Sequence, residues 1–229
     1  MSLLKNKFLY LIQVLQFSIN YLTNKNFSEK KIVSFKVKNE INVFDIGSNL
    51  GSYIKFVSNQ NKNKKINFYS FEPDKNLILG QKKLKLPTSH KLITNNIGIS
   101  NENKEKQFFR RSVSSQSSFL SDPRSKDISK VEEKLNIRTV RLDDFCFEKN
   151  IDYIDILKID TEGLEFEVLI SGSKMIKNKN IGIIKIELDS KFDRIITLLA
   201  SSGYELTGVT NTTYVQNKIF LFDAYFIST

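Results

Sequence analysis

The chain is poor in the residues that form covalent cross-links and metal sites. Its 229 residues include one cysteine, one histidine, three prolines and nine glycines. A single cysteine, Cys146, excludes an internal disulfide and is compatible with a reducing compartment, so we expect a cytoplasmic protein. The lone histidine excludes a histidine-rich metal site. The few prolines and glycines exclude collagen-like and long linker segments. With 40% hydrophobic and 26% charged residues, the composition fits one folded domain.

Negative charge is the scarcer sign, and the formal net charge is +10. Much of the excess is lysine interspersed with asparagine, as in residues 61–65 and 177–180. Compact arginine clusters and basic stretches interleaved with aromatics, which are typical of nucleic-acid interfaces, are mostly absent. A lysine-coated, solvated surface is therefore the favoured interpretation, and an anionic partner is the alternative.

Long apolar runs are limited to residues 3–22. This segment is shorter than a comfortable membrane span, and Gln13, Gln16 and Asn20 interrupt it at helical spacing. No small-residue cleavage site of a signal peptide follows it. We expect an amphipathic helix that docks on the domain or on a partner subunit, as in a homodimer. A helix lying in the plane of a membrane surface is the alternative.

Strand-like and helix-like patterns alternate from Ile32 onward, which predicts a mostly parallel sheet with helices on both faces. Residues 210–213 have the pattern of a hairpin-like connection, which predicts that the last two strands of the sheet are antiparallel. The helix candidates are 52–59, 74–86, 164–171 and 190–202. The strand candidates are 43–46, 66–71, 91–99, 154–160, 181–188, 204–209 and 218–227, with 104–111 as a further one.

A glycine-containing loop follows the first of these strands. Asp45 ends the apolar run, and Gly47 and Gly51 then recur with Gly-x-x-x-Gly spacing. This spacing is neither the dinucleotide-binding Gly-x-Gly-x-x-Gly nor a P-loop. Glycine lets a backbone approach a ligand closely, and a preceding acid favours S-adenosylmethionine over a dinucleotide. A simple strand-to-helix turn is the alternative.

A second acid, Glu72, ends the next predicted strand. A carboxylate at this place is suited to accept hydrogen bonds from two vicinal ribose hydroxyls. Pro73 suits the first turn of a following helix, and Asp74 favours the helix start through the dipole. A helix start without any ligand contact is the alternative.

A third segment, 156–167, ends an apolar strand in closely spaced acids that include Asp160, Glu162 and Glu165. The carboxyl end of such a strand faces the ligand crevice of an open α/β sheet. Crowded carboxylates repel one another unless they act as a general base, a cation ligand or acceptors for substrate hydroxyls. We predict catalytic roles for Asp160 and Glu162. No third ligand is identifiable from the spacing, so we expect no bound metal.

Strand alternation also brings charges together. Lys158 and Asp160 share one face of their strand, as do Lys185 and Glu187 on the next strand. Because charges on central strands are costly unless paired, we hypothesise one polar cluster near the crevice. Burial and a second lysine would lower the pKa of Lys158, which could then deprotonate a hydroxyl. Purely structural pairing is the alternative.

The chain resembles the FkbM-type methyltransferase family over roughly residues 41–188. The resemblance rests on four motifs in order: Asp45-Ile-Gly-Ser-Asn-Leu-Gly, Phe71-Glu-Pro-Asp, Arg141-Leu-Asp-Asp and Leu157-Lys-Ile-Asp-Thr-Glu-Gly-Leu-Glu. It implies a class I Rossmann-like α/β sheet, mostly parallel with an antiparallel C-terminal strand. It also implies an S-adenosylmethionine-dependent O-methyltransferase of EC class 2.1.1 that acts on a saccharide or a small hydroxylated metabolite.

The resemblance further implies a set of site residues, whereas the N-terminal helix and the extreme C-terminus lie outside it. We predict an N-terminal amphipathic segment over residues 1–30 and the methyltransferase domain over 31–229. The serine-rich stretch 112–118 is similar to one in the family and is either a flexible loop or a substrate-facing lid. A nucleic-acid ribose methyltransferase and a non-catalytic membrane-binding or partner-binding module are the alternatives. The implied cofactor residues are Asp45, Gly47, Asn49, Gly51 and Glu72, and the implied active-site residues are Asp160, Glu162 and, as a further candidate, Glu165.

Overall fold

The structure, a computed structural model, describes residues 28–34, 38, 40–121, 130–189, 192–215 and 218–228. The predicted helix at 3–22 lies outside these described residues, so the division at residue 30 stays a prediction. Within the described part of the chain, no helix is long and apolar enough to cross a membrane.

The described chain alternates strands with short helices. The strands are β1 (Glu40–Ile46), β2 (Lys65–Phe71), β3 (His90–Asn95), β4 (Gly98–Ile99), β5 (Glu105–Arg111), β6 (Val131–Val140), β7 (Ile154–Ile159), β8 (Ile181–Asp189), β9 (Tyr204–Val215) and β10 (Lys218–Ser228). The helices are α1 (Glu29–Ile32), α2 (Ser52–Gln60), α3 (Lys75–Gln81), α4 (Leu142–Glu148), α5 (Glu165–Ser171), α6 (Ser173–Lys177) and α7 (Asp193–Ser201). A short 3-10 turn covers Ser114–Gln116.

A seven-stranded sheet in the order β3-β2-β1-β7-β8-β10-β9 forms the centre of the molecule. Strands β3, β2, β1, β7 and β8 pair in parallel, whereas β10 is antiparallel to both of its neighbours. The predicted fold class is confirmed. The strand order reverses between β1 and β7, and ligands of open α/β sheets bind at the carboxyl ends of the strands at such a point.

Alternating side chains of the central strands bury both faces of the sheet. In β1, Ile41 and Val43 join one hydrophobic cluster, whereas Phe44 and Ile46 join another. All positions of β7 are buried. Helices cover both faces of central parallel strands, and β1 and β7 are accordingly rich in apolar residues. This apolar framework makes each charged side chain on these strands conspicuous.

Several predicted boundaries were wrong. The candidate strand 91–99 divides into β3 of the large sheet and β4 of a second, three-stranded sheet with the order β4-β6-β5. The turn expected at 210–213 lies inside β9, which extends to Val215. Opposite it, β10 shows register shifts, for example between Leu221 and Asp223. Such bulges absorb polar and turn-type residues without ending a strand, and sequence patterns do not reveal them.

Helix boundaries also differ from the predictions. Asp74 is the N-cap of α3 and its side chain accepts a hydrogen bond from the Asn76 amide, so Pro73 precedes the helix and does not occupy its first turn. Strand β6 and helix α4 were not predicted. Most of the early positions of β6 are exposed, which hides the apolar alternation, and α4 is only two turns long.

Candidate active site

A cavity of about 400 Å³ lies where the strand order of the large sheet reverses. Its volume is within the range of small-molecule sites. Loops that follow β1, β2 and β7 form one part of its wall, and the segment after β5 forms another. The polar lining residues are Asn49, Glu72, Ser114, Ser115, Gln116, Ser117, Asp160, Thr161, Glu162 and Glu187, and the remaining ones are Ile46, Gly47, Phe71, Pro73, Ile97, Gly98, Ile99, Phe108, Phe119, Leu164 and Leu221.

Gly47 lines the cavity at the start of the loop between β1 and α2. Its φ of +76° is in the region that favours glycine, and a Cβ there would overlap the carbonyl oxygen of Asp160. The close approach of the backbone after β7 therefore requires a glycine at this position. Gly51, also with positive φ, is the N-cap of α2, and a Cβ there would lie 2.7 Å from the Leu84 side chain. Its role is in the turn and its packing, and it lies outside the lining.

Glu72 joins the ends of β1 and β2. Its Oε2 accepts a hydrogen bond from the Asn49 amide at 2.8 Å, and its Oε1 accepts one from the Asp74 amide at 2.9 Å. Burial disfavours the charged carboxylate more than these two amides favour it, and raises the pKa of Glu72 to about 7. The carboxyl group thus lines the cavity. It also holds the loop between β1 and α2 (residues 47–51, the glycine loop) against β2.

The loop after β7 (residues 160–164, the acidic loop) places Asp160 and Glu162 in the lining of the cavity. Glu162 has a φ of +54°, which is uncommon for a residue with a side chain. The buried Glu165 supports this conformation, because its Oε1 accepts hydrogen bonds from the amides of Thr161 and Gly163, both at 3.1 Å. Glu165 therefore organises the loop and lies outside the cavity lining.

A third carboxylate, Glu187 of β8, reaches the same part of the cavity. Oxygen atoms of Asp160, Glu162 and Glu187 lie within 4.8 Å of one another, and a cation could share them. The expectation of no bound metal stays a prediction. Glu187 was placed in the lysine cluster by its sequence and not among the site residues. Its position near the carboxyl end of a central strand is the signal that could have identified it.

Lys158 lies behind the lining and has a raised pKa. Its Nζ is 3.0 Å from Asp45 Oδ1 and 3.1 Å from Asp160 Oδ2, and it donates a hydrogen bond to the Gly47 carbonyl at 2.8 Å. Burial alone would lower its pKa, but the two carboxylates outweigh burial and raise the pKa above its usual value. The prediction of a lowered pKa is wrong, whereas the role of Lys158 as a general base stays a prediction.

Lys185 makes ion pairs of its own. It lies directly opposite Lys158 in the register of β7 and β8, yet its Nζ pairs with Glu29 at 3.2 Å and with Asp223 at 2.9 Å. The predicted single cluster is thus two separate sets of ion pairs. Side chains from α1 and β10, which strand alternation does not relate to β8, supply the partners of Lys185.

The serine-rich stretch closes one side of the cavity. Residues 114–117 are in the lining, and Asn49 Nδ2 donates a hydrogen bond to Ser114 Oγ at 3.2 Å. Ser118 Oγ donates to the Glu162 carbonyl at 2.9 Å. The stretch therefore contacts both the glycine loop and the acidic loop, an arrangement that matches the lid interpretation better than a free loop.

The structure brings most of the predicted site residues to one cavity. Asp45, Gly51 and Lys158 lie outside its lining, where Asp45 and Lys158 form an ion pair. The serines and the aromatic residues Phe108 and Phe119 were not named as site residues. Phe108 lies in β5 and the others follow it, and strand periodicity does not show that this part of the chain reaches the cavity. The predicted residues in the lining are Gly47, Asn49, Glu72, Asp160 and Glu162.

These features together define a class of protein. The sheet order with an antiparallel β10, the glycine loop after β1 and the carboxylate after β2 are those of a class I S-adenosylmethionine-dependent methyltransferase. The model of the methyltransferase FkbM domain matches residues 45–206. The chain belongs to the FkbM methyltransferase family, a family that uses S-adenosylmethionine. No curated protein matches the chain.

Several solved structures are similar to the chain at low sequence identity. A methyltransferase FkbM from Methylobacillus flagellatus KT is 13% identical with a TM-score of 0.54, and the match covers 84% of this chain and 44% of that one. TrmK of M. capricolum, solved with S-adenosylhomocysteine, is 13% identical with a TM-score of 0.43 and coverages of 88% and 69%. A Streptococcus pneumoniae tRNA (m1A22) methyltransferase homologue with S-adenosylmethionine is 10% identical with a TM-score of 0.44 and coverages of 87% and 71%. None of these matches assigns an acceptor to this chain.

Proposed function

We propose that the chain is an O-methyltransferase that transfers the methyl group of S-adenosylmethionine to a hydroxyl of a saccharide or a small hydroxylated metabolite. One observation carries this proposal: a single cavity joins the glycine loop and Glu72 to the carboxylates of Asp160, Glu162 and Glu187. The first part is suited to the donor, and the second is suited to hydroxyl groups and to their protons.

The described residues fit the donor. The backbone at Gly47 and Asn49 lines the cavity without a Cβ at position 47, and Glu72 presents a carboxyl group at the tip of β2. In this proposal Glu72 accepts hydrogen bonds from the two ribose hydroxyls, and Gly47 and Asn49 contact the rest of the donor. Asp45 and Gly51 lie outside the lining of the cavity and support the glycine loop.

The acceptor chemistry needs alignment and a proton acceptor. S-adenosylmethionine supplies a methyl group on a positively charged sulfur. Asp160 and Glu162 orient the acceptor hydroxyl, and one of their carboxylates takes its proton while the oxygen–methyl bond replaces the sulfur–methyl bond. Alignment of this kind supplies much of the rate enhancement, and a general base adds typically about 10²- to 10⁴-fold.

The charge of the lining favours a neutral acceptor over nucleic acid. Among the described lining residues there are four acids, Glu72, Asp160, Glu162 and Glu187, and no lysine, arginine or histidine. A phosphate next to the reacting hydroxyl would be repelled in this confined space. The net charge of +10 is the observation that favours the alternative, a ribose of nucleic acid, but it comes from residues outside this lining.

The test begins with the donor. Calorimetric titration with S-adenosylmethionine should show binding that Glu72→Ala weakens, and NAD should not bind. Formation of S-adenosylhomocysteine with a panel of sugars, sugar phosphates and RNA oligonucleotides then identifies the acceptor class. Turnover of RNA with steep salt dependence would replace the saccharide proposal. A folded protein that binds no S-adenosylmethionine would favour a non-catalytic binding module.

We further propose a cytoplasmic protein whose residues 3–22 dock on the domain or on a partner subunit. The absence of a cysteine pair supports the compartment, and the polar stripe at Gln13, Gln16 and Asn20 supports the docking. Light scattering and liposome pelleting of the full chain and of a chain without residues 1–25 test it. Loss of pelleting without those residues, at an unchanged oligomeric state, would favour the membrane surface.

A further inference from the structure

Two buried lysines occupy matching places in the large sheet. Lys158 of β7 and Lys185 of β8 are register partners, and they are 7% and 8% exposed. A buried ammonium group is costly unless its hydrogen-bond donors find acceptors, so both lysines need partners for stability alone. The two lysines have different partners, and this difference indicates that Lys158 has a role in addition to stability.

The partners of Lys158 belong to the two loops that line the cavity. Its Nζ has three oxygens within 3.1 Å, from the Gly47 carbonyl, Asp45 and Asp160. The Gly47 carbonyl accepts a hydrogen bond from this ammonium group, and the carboxylates of Asp45 and Asp160 pair with its charge. Gly47 starts the glycine loop and Asp160 starts the acidic loop, so one atom ties the two loops together.

We propose that Lys158 is a positioning residue, which holds the Gly47 carbonyl and the Asp160 carboxylate at a fixed separation while Asp45 serves as its counter-ion. In this proposal Asp45, the first acid of the glycine-loop motif, pairs with Lys158 and does not contact the methyl donor. It also explains why a lysine two residues before Asp160 faces the same way as that acid. The proposal rests on the proposed placement of the donor in this cavity.

Charge balance supports the assignment. Asp45 is buried and its carboxylate pairs with Lys158, so the lysine neutralises it and the carboxylate of Asp160 remains to face the cavity. Without Lys158, two carboxylates would lie close together beneath the glycine loop. Asp45 would then repel Asp160, and the Gly47 carbonyl would lose its donor.

Lys185 is a matched control for this role. Its partners Glu29 and Asp223 lie outside the lining of the cavity, although the lysine itself is as buried as Lys158. A substitution at Lys185 therefore removes a buried ion pair from the same sheet without releasing either loop. Any effect that is common to the two substitutions measures stability, and any difference measures positioning.

The experiment uses the full chain with three variants, Lys158→Met, Asp45→Asn/Lys158→Met and Lys185→Met. Thermal unfolding and calorimetric titration with S-adenosylmethionine are measured for each, with titrations below the unfolding midpoint. We expect Lys158→Met to lower both the midpoint and the affinity. The double variant contains no unpaired Asp45 charge and should regain most of the midpoint, but it should bind S-adenosylmethionine about tenfold or more weakly than wild type, the equivalent of losing one hydrogen bond to a charged group. Lys185→Met should lower the midpoint and change the affinity less than about twofold.

Two results would overturn the inference. One is a double variant that binds S-adenosylmethionine as tightly as wild type, and the other is a Lys185→Met variant that loses as much affinity as the double variant. Either would reduce Lys158 to a structural ion pair. A wild-type protein that does not bind S-adenosylmethionine would instead remove the proposed placement of the donor, so the two failures are distinguishable.

Discussion

The large and the small sheet differ in burial and in what they bring to the cavity. Strand β7 of the large sheet is buried along its whole length, whereas β6 of the small sheet exposes most of its first half. The large sheet supplies the glycine loop and the carboxylates, and the chain after β5 supplies the serines that cover them. The groups proposed for the chemistry thus follow buried strands, and the serines that line another part of the cavity follow a strand of the more exposed small sheet.

The largest effect is expected at the closest approach within the large sheet. Gly47→Ala would place a Cβ onto the Asp160 carbonyl at a backbone φ of +76°, so we expect the free energy of unfolding to fall by about 2–4 kcal/mol. Urea denaturation measures this loss. Gly80→Ala in α3 is the control, because its Cβ would meet only the end of the half-exposed Leu50 side chain. Equal stability of the two variants would show that the loops are not held as described.

The next largest effect is the pH dependence of the affinity for S-adenosylmethionine. With the pKa of Glu72 at about 7, the ionised fraction rises from roughly a tenth at pH 6 to roughly nine-tenths at pH 8, and an ionised carboxylate is the better acceptor for two hydroxyls. We expect the affinity for S-adenosylmethionine to rise up to about tenfold over this range. Calorimetry at several pH values tests this, with Glu72→Gln as a control that should bind weakly and show no such rise.

The same pKa has a consequence for stability. Because it lies above the ordinary value of 4.5, the folded state binds a proton more tightly than the unfolded state does. The stability contributed by neutral Glu72 is therefore full below pH 4.5 and is lost as the pH rises through 7.

For the calorimetric experiment, an affinity for S-adenosylmethionine that falls between pH 6 and pH 8 in the wild type alone would contradict the assignment of Glu72 to the donor.

A smaller effect is expected in the small-sheet region. Ser118→Ala removes the hydrogen bond to the Glu162 carbonyl, at about 1 kcal/mol, and should speed amide hydrogen exchange at both 112–118 and 161–163. The affinity for S-adenosylmethionine should stay within about twofold of wild type. Ser89→Ala, which loses a hydrogen bond to the Lys62 carbonyl away from the cavity, is the control. Unchanged exchange at 161–163 would mean that the serine stretch does not support the acidic loop.

The smallest effect is expected at Cys146 in α4, which packs on the large sheet. Burial, reinforced by Asp143, raises the pKa of its thiol to about 12, so the reactive thiolate is scarce at pH 8. Iodoacetamide should leave the native protein unmodified and should label it fully in denaturant, as mass spectrometry would show. Rapid labelling of the native protein would mean that the large sheet opens more readily than its burial indicates.

Sequence patterns predicted the large sheet better than the small one. The central parallel strands are rich in apolar residues, and β1, β2 and β7 are followed by glycine or an acid, so both signals are local. Strand β6 and the split between β3 and β4 depend on which chain segments pair at long range. The same contrast holds within the site, where Asp160 and Glu162 follow a strand end closely but Ser114 reaches the cavity only through the fold.

The sequence by itself determined the fold class, the family and the identity of the two loops, because strand periodicity, glycines and acids at strand ends are properties of neighbouring residues. The tertiary structure alone decided which of those residues face the cavity and which stand behind it. The pKa of Lys158 is the clearest case. Its rise depends on Asp45, a residue more than one hundred positions away, which parallel pairing places beside it. Electrostatic interactions act over a few ångströms of space, and only the folded chain decides which charges come that close.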